Sequence, residues 1–163
     1  GSGAIGLAIA QERNDVEVIL VEKSAEALKV VSANLAGLGN HAVKVKVFHS
    51  CWFDELPREL HNSFHLIVSN PPYIADSESL PNEVANFEPH EALFAGEKGT
   101  EYIETILLAS PKWLMKSGGV VLEMAPDQTD SMAETARELG YSSIEISKDL
   151  TGKPRIMSCV WGK

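Results

Sequence analysis

Short apolar runs alternate with amphipathic segments along the chain, and this alternation restricts the fold more than any other feature. Val16-Glu17-Val18-Ile19-Leu20-Val21 has strand length and stops at Glu22. Residues 43–48 and Leu66-Ile67-Val68 read as further strands, as do Val120-Val121-Leu122-Glu123-Met124 and segments near Ile144 and residues 156–160. Between them, Leu28, Val31, Leu35 and Leu38 recur at the spacing of one helix face. Residues 25–38 are therefore expected to be helical, with Ser24 as N-cap and Gly39-Asn40 as the stop. Tyr102, Ile106, Ala109 and Trp113 define a second face, and Met132, Ala136 and Leu139 a third. Gly118-Gly119 reads as a turn that delivers the chain to Val120. Residues 74–98 contain no convincing long element and read as an ordered excursion beside a site. Apolar strands separated by helices bury both faces of a sheet, so the expected class is α/β with a mostly parallel sheet. No repeat or low-complexity linker interrupts the 163 residues, and no internal domain boundary is expected.

Composition narrows the functional classes. Twenty-three acidic against fourteen basic residues give a formal charge of −9. That balance disfavours unaided wrapping of a phosphate backbone and leaves a neutral or basic protein partner open. No stretch approaches the roughly 20 apolar residues that span a bilayer, so no membrane association is expected, and the opening residues do not read as a signal peptide. Cys51 and Cys159 form neither a disulfide framework nor a close metal-binding pair. A reducing compartment, such as a cytoplasm or a mitochondrial matrix, and no metal site are the expectation. His49, His61, His65 and His90 are too dispersed to define a catalytic Asp-His arrangement.

Three local patterns carry chemistry. Glycines at 1, 3 and 6 permit a close turn that presents helix N–H groups to a polar ligand, although a plain tight turn fits the same residues. Glu22 ends an apolar strand, where a carboxylate can accept the hydroxyl hydrogens of a nucleotide ribose; a solvated helix-cap acid is the alternative. Asn70-Pro71-Pro72-Tyr73 is sharper. Each proline lacks an N–H and restricts the residue before it, giving a rigid turn. Such a turn can aim the Asn70 side-chain oxygen and the Pro71 carbonyl into one small space. Two acceptors match the two hydrogens of a primary amide or an exocyclic amine, with Tyr73 either packed over the planar group or closing the pocket with its hydroxyl. The alternative is a proline-rich strand exit without chemistry.

Together these residues resemble the release-factor glutamine methyltransferase family, often called HemK or PrmC. The resemblance continues through Glu88-Pro89, Ala92-Leu93-Phe94-Ala95-Gly96-Glu97-Lys98-Gly99, Gly118-Gly119-Val120-Val121-Leu122-Glu123, Asp127-Gln128 and Asp149-Leu150-Thr151-Gly152-Lys153-Pro154-Arg155. It implies a seven-stranded, Rossmann-like class I methyltransferase fold, mostly parallel with an antiparallel last strand. It also implies methyl transfer from S-adenosylmethionine, leaving S-adenosylhomocysteine, to the glutamine amide in the Gly-Gly-Gln loop of a peptide-chain release factor. Asn70, Pro71, Pro72 and Tyr73 take the catalytic role in that resemblance. Gly1, Ser2, Gly3, Glu22, Lys23, Cys51, Trp52 and Asn70 take the cofactor role. Ser50-Cys51-Trp52-Phe53 departs from the family pattern, because Cys51 stands where an acid is expected near the adenine. Trp52 there is either a cofactor contact or a core residue. The resemblance further implies an N-terminally truncated catalytic domain, with the first strand and a small helical docking domain outside the chain. Nucleic acid is not expected as a direct substrate, although the same motif resembles amino methyltransferases of adenine or cytosine. A non-catalytic interaction fragment is the third reading.

Overall fold

The structure is a computed structural model that describes residues 1–79 and 89–162; Glu88 of the resemblance lies outside the described residues. Two compact units form, Gly1–Arg58 and Glu59–Lys163.

In the first unit the elements are helix α1 (Ala4–Glu12), strand β1 (Val18–Glu22), helix α2 (Ala25–Ala36) and strand β2 (Val45–His49). The strands pair in parallel, from Val18 opposite Val45 to Glu22 opposite His49. Leu7, Ala10 and Val45 form a core on which Val18, Leu20, Leu35, Leu38 and Val47 pack. Ser24 caps α2 as expected, accepting from the Ala27 N–H at 3.3 Å. Gly6 lies close against β1: a Cβ there would lie 2.2 Å from Leu20 Cδ2, so a side chain at this position would force Leu20 to move. The strand expected at 43–48 begins later, at Val45. Residues Gly39–Lys44 form a 3₁₀ turn and leave Val43 91% exposed, since no neighbour covers that side chain.

The second unit holds strands β3 (Phe64–Ser69), β4 (Leu114–Glu123), β5 (Tyr141–Lys148) and β6 (Pro154–Trp161). Their order is β3-β4-β6-β5. β3 runs parallel to β4, whereas β6 is antiparallel to both β4 and β5, which gives the expected antiparallel last strand. Helices Glu101–Ala109 and Thr129–Glu138 supply Ile103, Ile106, Leu107, Met132, Ala133 and Ala136 to a core with Val120, Leu122, Met124, Met157 and Cys159. Burial raises the Cys159 thiol pKa to about 11.

Two sequence expectations change here. The buried stripe of the Glu101–Ala109 helix is Ile103, Ile106 and Leu107, one step round from the face drawn through Tyr102 and Ala109. The helix ends at Ala109 because Pro111 follows in a 3₁₀ turn, so Trp113 lies beyond it, with its ring edge-on to His61 at 4.5 Å. Gly118 and Gly119 lie inside β4 and not in a turn before it. The pairing of β3 with β4 slips between Phe64 and Leu66, and a Cβ on Gly118 would stand 2.8 Å from the Phe64 carbonyl. No helix among the described residues is long and apolar enough to cross a membrane.

Leu122 is fully buried in β4. Leu122→Ala is expected to cost about 2–5 kcal/mol, read as a lower urea midpoint with an unchanged slope.

Candidate active site

The first unit gathers most of the residues expected on the cofactor side. Gly3 takes φ +76°, the left-handed conformation that lets the chain turn into α1, and no side-chain cap covers the start of that helix. Around Gly1 a Cβ would meet nothing within 4 Å. Ser2 is tied back through its carbonyl, which accepts from the Asn34 side chain at 3.0 Å. Glu22 ends β1 with its side chain 12% exposed. One carboxylate oxygen accepts from the Ser24 N–H at 2.6 Å, and the other meets the terminal amino group of Gly1. The helix-cap reading of Glu22 is thus realised in part, through Ser24.

Because β1 and β2 are parallel, Lys23 and Ser50-Cys51-Trp52 leave the same edge of the pair. The Ser50 N–H donates to the Glu22 carbonyl at 3.1 Å, and His49 Nε2 lies 2.9 Å from the Lys23 carbonyl. Cys51 is exposed and forms no disulfide. Trp52 is half-buried at φ +49°, a conformation that costs an aromatic residue about 1 kcal/mol or more. The turn is built round that cost. Ser50 Oγ accepts from the Glu55 N–H at 2.9 Å and donates to the Trp52 carbonyl at 3.2 Å. Trp52 is therefore a loop residue held in place and not a core tryptophan.

The second unit carries Asn70-Pro71-Pro72-Tyr73 directly after β3. Asn70 is exposed and Pro71 is buried. Neither the Asn70 side chain nor the Pro71 carbonyl takes a hydrogen bond from any described residue. The turn itself is rigidly backed. The Tyr73 carbonyl accepts from Gln128 Nε2 at 2.8 Å, while Gln128 Oε1 accepts from the Ala125 N–H at 3.0 Å. Ile74 then pairs with the chain around Phe94: its N–H donates to the Leu93 carbonyl at 3.1 Å, and its carbonyl accepts from the Ala95 N–H at 2.9 Å. Gly99, at φ +77°, passes so close that a Cβ would lie 2.7 Å from the Tyr73 carbonyl oxygen. Arg155 Nη1 donates to the Tyr73 hydroxyl at 3.3 Å.

Gln128, Gly99 and Arg155 are the site residues that motif reading assigned no role. Their signal was present as blocks of resemblance, but only the fold shows that three distant blocks support one tyrosine.

Residues 1–92 match the methyltransferase small-domain family. The chain belongs to that family. It is 35% identical over 164 residues to the release factor glutamine methyltransferase of Clostridium acetobutylicum, covering 99% of this chain and 57% of the relative. It is 38% identical over 162 residues to the protein of the same name in Rhodopirellula baltica, covering 97% and 53%. The chain thus spans about half the length of these relatives. Among solved structures, a methyltransferase from Pyrococcus furiosus aligns with all of this chain and 72% of its own, with TM-score 0.71 and 18% identity. That likeness establishes the class I methyltransferase fold expected of the family.

Gln128 is 8% exposed and satisfies groups on both sides of it. Gln128→Ala is expected to destabilise by about 1–3 kcal/mol, because the Tyr73 carbonyl and Ala125 N–H lose their partner. Faster amide exchange at Ala125 and a lower melting temperature would register the loss.

Proposed function

We propose that this chain binds S-adenosylmethionine and methylates the side-chain amide nitrogen of glutamine in the Gly-Gly-Gln loop of a peptide-chain release factor. The observation that carries this reading is the pair of uncommitted acceptors, Asn70 and Pro71, on a turn braced through Tyr73 and Ile74. The names of the relatives support the same substrate.

The residues of the first unit suit the cofactor. The left-handed Gly3 and the uncapped start of α1 leave N–H groups for its polar end. Glu22 suits the ribose hydroxyls, and Lys23, Cys51 and Trp52 flank the same strand edge. When bound, S-adenosylmethionine supplies a methyl group activated by its sulfonium. The chain's own residues do the positioning. A glutamine amide is a weak nucleophile because its lone pair is delocalised. Asn70 and the Pro71 carbonyl accept its two N–H hydrogens, fixing the nitrogen in one orientation and stopping rotation of the amide. Both acceptors are neutral, so the site asks for no proton before substitution and leaves the departing proton to water. Tyr73 packs against the planar amide.

The −9 charge favours a protein partner over unaided nucleic acid. The two thiols, free of disulfides, fit the bacterial cytoplasm.

Asn70→Ala is expected to leave S-adenosylmethionine affinity nearly unchanged and to slow single-turnover methyl transfer about 5- to 150-fold, the equivalent of about 1–3 kcal/mol. An unchanged rate would remove Asn70 from the substrate role. Glu22→Ala has the opposite signature: calorimetry should record weaker cofactor binding, and equal affinity would rule out the ribose contact. The substrate itself is tested with labelled methyl donor offered to a release factor, its glutamine-substituted variant, a ribosomal protein, DNA and RNA. Label is expected on the unsubstituted release factor alone. Preferred labelling of nucleic acid would make the chain a base amino methyltransferase, and failure to bind the cofactor would make it an interaction module.

A further inference from the structure

We propose that Arg155, oriented by Asp149, is a positioning residue that sets the ring of Tyr73 over the acceptor site; the inference rests on the substrate role given to Asn70-Pro71-Pro72-Tyr73. The turn between β5 and β6 is organised by one carboxylate oxygen. Asp149 Oδ1 accepts from the Thr151 N–H at 2.8 Å, the Thr151 hydroxyl at 2.7 Å and the Lys153 N–H at 3.1 Å. The backbone closes the same turn, with Asp149 N–H donating to the Lys153 carbonyl at 2.8 Å and Gly152 N–H to the Asp149 carbonyl at 3.0 Å. These contacts, the Thr151 hydroxyl first, hold the Asp149 carboxyl below the usual carboxylate range. Its second oxygen is left for Arg155, 3.8 Å from Nε.

Arg155 lies at the start of β6, where its carbonyl accepts from the Met124 N–H at 2.9 Å and fixes its backbone to β4. Its side chain is 29% exposed. The charge at Asp149 restrains the Nε side of the guanidinium, and Nη1 reaches the Met124 carbonyl at 3.5 Å and the Tyr73 hydroxyl at 3.3 Å. The guanidinium carbon stands 5.8 Å from the centroid of the Tyr73 ring. Tyr73 is thereby held at its carbonyl by Gln128 and at its hydroxyl by Arg155, which fixes the line of the ring's long axis, and the guanidinium beside the ring at 5.8 Å restricts rotation about that axis. A planar fork with a fixed Nε is suited to this; a lysine at 155 would carry the charge without the geometry.

Both Nη1 bonds are long, so the expected effect is moderate. In the purified protein, Arg155→Met should lower kcat about tenfold, or about 1.4 kcal/mol, with cofactor affinity unchanged. Arg155→Lys should recover part of that loss. Tyr73→Phe removes the hydroxyl, and in that background Arg155→Met should cost less than about twofold, because coupled residues are not additive. Equal losses in both backgrounds would overturn the proposal.

An independent reading uses protein labelled with 3-fluorotyrosine, whose three tyrosines, Tyr73, Tyr102 and Tyr141, give three fluorine signals. Arg155→Met is expected to shift and broaden the Tyr73 signal while Tyr102 and Tyr141 report an intact fold. Asp149→Asn should do the same more weakly, and it replaces Arg155→Met if that variant does not fold. An unmoved Tyr73 signal in the folded variants would overturn the clamp whether or not methyl transfer occurs. A Tyr73 signal that moves as expected, in a protein that methylates no acceptor, would instead overturn the substrate role.

Discussion

Everything proposed for the acceptor turn depends on how the Tyr73 carbonyl is held. A turn of two prolines has few backbone donors of its own, so its stiffness stops at its ends unless something fixes them. Here the exit is fixed by a buried glutamine amide. Gln128 spends its two polar ends on Tyr73 and Ala125, joining the turn to the loop after β4. That bond requires the chain at Gly99 to pass within van der Waals range of the same carbonyl, a path closed to any residue with a Cβ. The bridge of Ile74 to Phe94 then extends the support away from the turn. Asn70 is left exposed at the other end, and its side chain takes no hydrogen bond from the described residues. This division of labour suits a site: the bracing Gln128 is buried and satisfied, and the Asn70 side chain is neither.

Much of this was legible in the sequence, and for identifiable reasons. The parallel pair of β1 and β2, the cap at Ser24 and the apolar face of α2 follow from periodicity and a single hydroxyl, both local signals. The residues of the acceptor turn were legible because two successive prolines leave little conformational choice. The Glu101–Ala109 helix shows the limit of spacing: Tyr102, Ile106 and Ala109 share a face, yet the buried stripe is Ile103, Ile106 and Leu107, and Pro111 ends the helix before Trp113. A glycine pair usually marks a turn, whereas Gly118-Gly119 accommodate a slip in strand register against Phe64, which only the partner strand reveals. The roles of Gln128 and Arg155 were illegible for the same kind of reason. Each acts on a tyrosine more than fifty residues away in the chain.

The loop that carries Cys51 takes its shape from other residues. Ser50, buried, organises the turn through the Glu55 N–H and the Trp52 carbonyl, and Trp52 keeps its left-handed backbone within that frame. Both side-chain hydrogen bonds of this frame belong to Ser50 and neither to Cys51. Packing against an adenine face depends on where an aromatic ring is held, so this part of the proposed cofactor contact does not rest on Cys51.

Neutral acceptors also explain why the charged residues near Tyr73 act behind it. A carboxylate facing a glutamine amide would hold one hydrogen strongly and draw the nitrogen off the geometry that two matched acceptors impose. Asp149 faces the other way. Three donors from its own turn occupy one of its oxygens, and the remaining charge is spent on Arg155. The guanidinium in turn donates an N–H to the tyrosine hydroxyl and sets its positive charge 5.8 Å from the ring centroid. A charged pair placed in this order would lend the proposed site rigidity without lending it a base, as an amide nitrogen that is to be aimed and not deprotonated would require.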